Sequence, residues 1–347
     1  MIDLRSDVKS QPTPEMRRAM AEAEVGDDAA GEDPTVRRLE ELAAEATGKP
    51  AAVFVTSGTQ GNLTSLLALT RPGEELIADE QAHVLHFEGG GCARIAGLLP
   101  RTLKGERGCL DPKDVAAAIS EGSVIRGRTG VVVLENTHNG AGGIAVEPER
   151  MKAVVEVAWG RGVRVHLDGA RIFNASVALG RPVTDFTQWC DTVTFCFSKS
   201  LGAPCGSVVC GPADVIAQAR KARRMLGGSM RQSGHLAAPA IVAMETMVDR
   251  LVEDHRHARE IAETLATLPG VEVDLASVQT NMVYMKLLRE DMTDGDFAAA
   301  MGRRGVLTGG AHPTPRVFRF VTYHNIDDAA TANACEAFRE VLGEHAC

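Results

Sequence analysis

One lysine, Lys199, follows the apolar, strand-like run Thr192–Phe197 and enters the Ser/Gly-rich segment Ser198-Lys199-Ser200-Leu201-Gly202. Burying an ammonium is costly, so lysines avoid the ends of buried strands. Kept neutral there, the amine is a nucleophile fit to form a Schiff base with an aldehyde. The plain alternative is an edge-strand lysine whose stem lies on apolar surface and whose head reaches water.

Other residues in strand-end positions suit the same chemistry. The segment Thr56-Ser57-Gly58-Thr59-Gln60-Gly61-Asn62 joins a strand to a helical stretch. Free N–H groups and the helix dipole make such a turn a phosphate site. Gly58 admits close backbone approach, and Ser57 and Thr59 add hydroxyls. Alternatively Thr59 is a simple N-cap, and the Walker spacing is absent. Asp168 closes His166-Leu167-Asp168-Gly169-Ala170-Arg171, where it can face a pyridine nitrogen and keep it protonated, or cap the next helix. Arg171 offers a fork for a carboxylate or phosphate. His83 can stack on a cofactor ring or act as a base, and His138 is a second base candidate. Either histidine alone reads equally as a hydrogen-bonded structural residue. Arg231 lies in a glycine-rich bend. Arg319, between Phe318 and Phe320, points away from both, toward solvent or an anion. Together these groups supply what pyridoxal 5'-phosphate (PLP) requires of a protein, with no metal ligand set beside them.

The elements that must position these residues alternate. Ala51–Val55, Glu75–Ala78, Gly130–Leu134, Arg164–Leu167, Thr192–Phe197 and Ser207–Cys210 read as strands, with helical stretches between several of them. This is an α/β pattern with a mostly parallel sheet covered by helices. Open α/β sheets bind ligands at the carboxyl ends of their strands, where these candidates fall. Asp33 and Pro34 predict a helix start and Gly48 its end. A long helical pattern runs from about Ala237 toward Gly270, followed by β-like Val271–Val273, Met282–Met285 and Val317–Thr322. The expected division is a large cofactor-binding domain over 15–246 and a smaller α+β domain formed by 1–14 and 247–347.

The chain has 347 residues, 44% hydrophobic and 24% charged, with a net charge of -9. That composition is globular, and the charge argues against a nucleic-acid partner. Neither a secretory leader nor a membrane span is expected, which predicts the cytoplasm. The eight cysteines form no C-x-x-C pair, so neither a disulfide framework nor a zinc site is indicated.

The chain resembles the threonine aldolase family of fold-type-I PLP enzymes. The resemblance rests on Asp3-Leu4-Arg5-Ser6-Asp7, Gly31-Glu32-Asp33-Pro34-Thr35, Asp79-Glu80-Gln81-Ala82-His83, Glu135-Asn136-Thr137-His138-Asn139, His166–Arg171, Ser198-Lys199, Met230-Arg231-Gln232 and Arg319–Thr322. It implies a homotetramer, a dimer of dimers with shared active sites, that cleaves β-hydroxy-α-amino acids to glycine and an aldehyde. It implies that Lys199 holds PLP, His83 stacks on its ring and Asp168 pairs with its nitrogen. Gly58 and Thr59 would bind the phosphate with Arg231 of a neighbouring subunit, while Ser6, Arg171 and Arg319 would hold the substrate carboxylate. Val8, Ala30, Leu85 and Ser200 depart from the family pattern, and Ala30 is expected to widen the side-chain pocket. A β-eliminating PLP lyase and a non-catalytic PLP-binding protein are the alternatives. A nicotinamide enzyme is disfavoured because no GxGxxG turn follows the first strand.

Overall fold

The computed structural model describes residues 1–309 and 314–343. Among them are twelve strands, in chain order β1 (Ile2–Asp3), β2 (Ala51–Val55), β3 (Glu75–Asp79), β4 (Leu99–Leu103), β5 (Thr129–Glu135), β6 (Arg164–Asp168), β7 (Thr192–Cys196), β8 (Ser207–Gly211), β9 (Val271–Glu272), β10 (Met282–Leu287), β11 (Val306–Leu307) and β12 (Val317–Val321). Seven form the central sheet, in the order β2-β8-β7-β6-β5-β3-β4. Only β8 runs against its neighbours; the pairs from β7 through β4 are all parallel. Every residue of β5 and β7 is buried, as the unbroken apolar runs require of strands covered on both faces.

The edge strand β4 was not expected from the sequence. Its residues, Leu99-Pro100-Arg101-Thr102-Leu103, are half-buried or exposed. A proline and two polar residues suit a strand with one open edge and leave no hydrophobic signal. The helix Pro34–Thr47 starts and stops where the sequence indicates. Asp33 accepts the Val36 N–H at 3.0 Å, and Gly48 takes φ 62°. The long helical pattern after Ala237 is two helices, Gly234–Thr246 and Leu251–Ala266. The break follows from packing. The first helix lies against Pro14–Glu22 and Pro34–Thr47, the second against β10 and Asp328–Gly343, and the chain must turn between two cores.

The main core fills the space between the central sheet and its helices and includes Phe54, Val132, Phe186 and Phe195. The second gathers Leu4, Ile261, Met285, Phe297, Phe320 and Phe338 around the three-stranded sheet β12-β10-β9. Leu4 seats the N-terminal arm in that core, and β1 pairs in parallel with β11. The described cysteines carry free thiols, and all but Cys205 are buried. Among the described residues, no helix is long and apolar enough to cross a membrane.

Candidate active site

Five parallel strands release their chains at one edge of the sheet. Beyond β2 comes Ser57-Gly58-Thr59, beyond β3 His83, beyond β5 Asn139, beyond β6 Arg171 and beyond β7 Lys199. There a cavity of about 550 Å³ opens. Ser6, His83, Arg171, Lys199 and Arg319 all line it, so residues far apart in sequence reach one space. Val8, His86, Phe87, Asn139 and Tyr284 complete much of its wall.

The two cavity arginines differ in state. Arg171 donates through Nε and Nη2 to the two carboxylate oxygens of Asp7, each at 2.6 Å, and both side chains are buried. Ser200 Oγ donates to Asp7 at 2.9 Å. Burial would raise the Asp7 carboxyl, but Arg171 together with Lys199 and Ser200 holds it far below the carboxylate range. Arg171 is therefore neutralised, with its Nη1 edge left over. Arg319 donates to Asn139 Oδ1 at 2.8 Å and to the Arg5 carbonyl at 3.3 Å. Among the described residues no carboxylate pairs with it. A guanidinium held only by neutral oxygens keeps its full charge for a ligand.

Asp168 lies behind His83 and Lys199, 3% exposed. One oxygen accepts the Ala170 N–H at 3.0 Å, the local turn bond expected of a capping aspartate. The other accepts from Asn62 Nδ2 at 2.7 Å. Burial alone would push its carboxyl up, but nearby His83 and Lys199 and the Asn62 bond hold it low. Next along the strand, buried His166 is depressed to about 4 and stays neutral, mainly through desolvation. It bridges Thr192 Oγ1 and Asn62 Oδ1.

His83 opens the helix His83–His86, and its ring lines the cavity. Its backbone N–H donates to Glu135 Oε2 at 2.7 Å, while Glu135 Oε1 takes the Asn139 N–H at 2.8 Å. One buried carboxylate thus ties together the wall carrying His83 and the wall carrying Asn139 and Arg319. Tyr284, opposite Arg319 in the strand register, donates its hydroxyl to the Asn139 carbonyl at 3.0 Å.

The remaining candidates lie outside the cavity lining. His138 is fully buried behind the wall, its Nδ1 accepting the Ala141 N–H and its Nε2 3.3 Å from Asp79. Its ring packs on Gly108, where a Cβ would come within 2.2 Å of it. Ser57 is the cap of Gly58–Leu69, accepting the Gln60 N–H, a role the sequence offered to Thr59. Ser57 and Thr59 are exposed, and a Cβ on Gly58 would stand 2.8 Å from Cys196 Sγ. Arg231 is exposed and pairs with Asp27 at 3.0 Å. Ala30, expected to widen the pocket, lines a different depression of its own chain beside Asp28, Arg220 and Arg223. Leu85 packs against the apolar cluster that contains Leu63, Leu66 and Leu76 and is not among the residues lining the cavity.

Reading from sequence missed Asp7, Asn62, Glu88, Glu135, Asn139 and Tyr284 as contributors. Asn62 shares its helix with Thr59, Gln60, Thr64 and Ser65, so nothing in the local sequence set it apart, and the others depend on tertiary contact. The donor set fits PLP: an amine at the cavity, a buried carboxylate behind it, an imidazole wall, and a capped helix start whose glycine has no room for a side chain.

Comparison with known proteins agrees. The profile of the beta-eliminating lyase family matches residues 3–288. Low-specificity L-threonine aldolase 1 of Arabidopsis thaliana is 45% identical, across 98% of this chain and 96% of its own. The low specificity L-threonine aldolase of Escherichia coli (strain K12) is 40% identical across 99% of both. Among solved structures, Leishmania major threonine aldolase superposes with a TM-score of 0.84 at 19% identity, covering 98% of this chain and 100% of that one. Sphingomonas wittichii serine palmitoyltransferase does so with a TM-score of 0.75 at 18% identity, covering 98% and 88%. At those identities the likeness is one of fold. The matched profile and the near-full-length relatives establish that this chain belongs to the beta-eliminating lyase family, in its threonine aldolase branch.

Proposed function

We propose that the protein is a PLP-dependent aldolase that cleaves L-threonine, L-allo-threonine and related β-hydroxy-α-amino acids reversibly to glycine and an aldehyde. The observation that carries this reading is one cavity shared by Lys199, His83 and Arg319, with Asp168 buried behind. Lys199 holds the cofactor aldehyde, Asp168 its ring nitrogen and His83 one ring face. Ser57, Gly58 and Thr59 take the phosphate. Bound there, PLP supplies an electron sink for the bond pair released at the substrate Cα.

The rest falls to the side chains. Arg319 takes the substrate carboxylate, with Ser6 and the Nη1 edge of Arg171 beside it. Fixing the carboxylate limits rotation about the Cα–N bond and so selects which Cα bond breaks. The proton of the β-hydroxyl goes to His83, directly or through water. Burial opposes charge on that imidazole, yet Glu88 and Asp168 raise its pKa, so neutral His83 is a stronger proton acceptor. His138, turned away from the cavity, supports that wall.

We place the active unit in a homotetramer built from dimers, with Arg231 of a second copy completing the phosphate site. The exposure of Ser57, Thr59 and Arg231 supports this. The unpaired cysteines support a cytoplasmic setting. The test is the visible spectrum of the purified protein with PLP. Wild type shows the yellow lysine-linked band and Lys199→Ala lacks it; a wild type that stays colourless in excess PLP refutes the proposal.

A further inference from the structure

Beneath the cavity, His83, Glu88 and Asp168 present one donor atom each, all within 4.8 Å of one another. That spacing would also suit a cation. Between the two carboxylates, however, lies the Asn62 amide, whose Nδ2 donates to Glu88 Oε1 and to Asp168 Oδ2, each at 2.7 Å. A cation would have to displace it. The amide spends one hydrogen on each acid and so lets two like charges share a dry site.

Glu88 Oε1 also meets His83 Nδ1 at 2.8 Å. An ionised carboxylate oxygen only accepts, so with Glu88 charged Nδ1 carries the hydrogen, and Nε2 is the ring atom free to act on a ligand. The local chain explains how residue 88 reaches back to residue 83. The helix ends after His86 with the Phe87 N–H bonded to the His83 carbonyl at 3.0 Å, which keeps Glu88 near the first residue of the turn, and Gly89 and Gly90 follow in the left-handed region with φ 62° and 72°.

We infer that Glu88 is a positioning residue, a buried carboxylate that fixes the tautomer and plane of His83 and, through Asn62, locks that ring to Asp168. No step of the proposed cleavage uses Glu88 directly; the inference rests on the proposed PLP site only in giving His83 and Asp168 their ligand. The groups that face His83 are Glu88 on the following turn, Asp168 at the end of β6, Glu135 at the end of β5 and Lys199 beyond β7. Glu88 supplies the direct side-chain bond among them.

The test is an NMR titration of the His83 imidazole in the full-length protein, with and without PLP, in wild type and Glu88→Gln. The amide keeps the shape and an acceptor oxygen but removes the charge. The expected result is a His83 midpoint lower by about 1 pH unit in the variant, with the Nδ1–H still held by the amide oxygen, and a shifted pH midpoint for the visible band of bound PLP. A folded Glu88→Gln with the wild-type His83 midpoint overturns the assignment. If Glu88→Gln does not fold, Glu88→Asp is read instead: it withdraws the charge by one methylene, so a lowered midpoint supports the role and an unchanged one overturns it. The titration without PLP separates this result from any failure of the cofactor or of the aldol reaction.

Discussion

Asp7→Asn is the substitution whose cost can be worked most fully from the structure. Asp7 is completely buried and binds Arg171 through two bonds of 2.6 Å. The amide retains one acceptor oxygen, so one guanidinium bond survives. The other is replaced by an amide N–H facing a guanidinium N–H. Losing a charge-assisted bond costs about 1.5–3 kcal/mol, and an uncompensated buried cation brings the total to about 3–5 kcal/mol. Part of the loss should return in Asp7→Asn/Arg171→Met, where no charge is stranded. Equilibrium chemical unfolding at fixed protein concentration, run as a double-mutant cycle, measures both. A single-variant loss below about 1 kcal/mol, or losses that simply add, would refute the reasoning that Asp7 exists to hold Arg171. The variant should also bind substrate more weakly, since Arg171 no longer has one fixed orientation.

Other predictions address the cofactor and substrate walls. Gly58→Ala should weaken PLP binding about tenfold, the cost of one overpacked methyl, and Cys196→Ala should restore it by removing the clashing sulfur; an equal defect in the double variant contradicts this. Arg319→Gln should raise KM for the amino acid with little change in PLP affinity, read by steady-state kinetics beside a cofactor titration. Glu135→Gln should cost about 1.5–3 kcal/mol, because the amide nitrogen must face the N–H of either His83 or Asn139; unfolding measurements that match wild type would count against the bridge. For pH, His166 titrates near 6.5 when unfolded and is depressed to about 4 when folded. The folded state therefore binds fewer protons between these values, so its contribution is complete above about 6.5 and declines as pH falls toward 4, by about 3 kcal/mol in all. His166→Gln should flatten that part of the stability curve, and identical slopes would contradict the buried neutral histidine.

The sequence carried the parts of this site that are local. Apolar runs such as Gly130–Leu134 and Thr192–Phe197 marked buried parallel strands, because burial on both faces leaves no alternation to confuse. The residues just beyond those strands were then candidates by position. What sequence could not carry was mutual placement. Nothing near Asn62 announces that its amide will sit between acids 26 and 106 residues away. Tyr284 meets Arg319 only through the register of β10 with β12. His138 has the right type and the right strand end, yet its side chain turns inward against Gly108. Arg171 and Arg319 read alike as possible clamps; only the buried partner on the N-terminal arm distinguishes the neutralised one.

The central claim is that this cavity breaks a carbon–carbon bond, although the family profile it matches is that of beta-eliminating lyases. The direct measurement is product identity from L-threonine with PLP-loaded wild type, with Lys199→Ala as control. The account predicts glycine and acetaldehyde in equal amounts, and neither from the lysine variant. Ammonia and a keto acid in their place would contradict it and assign the site to β-elimination.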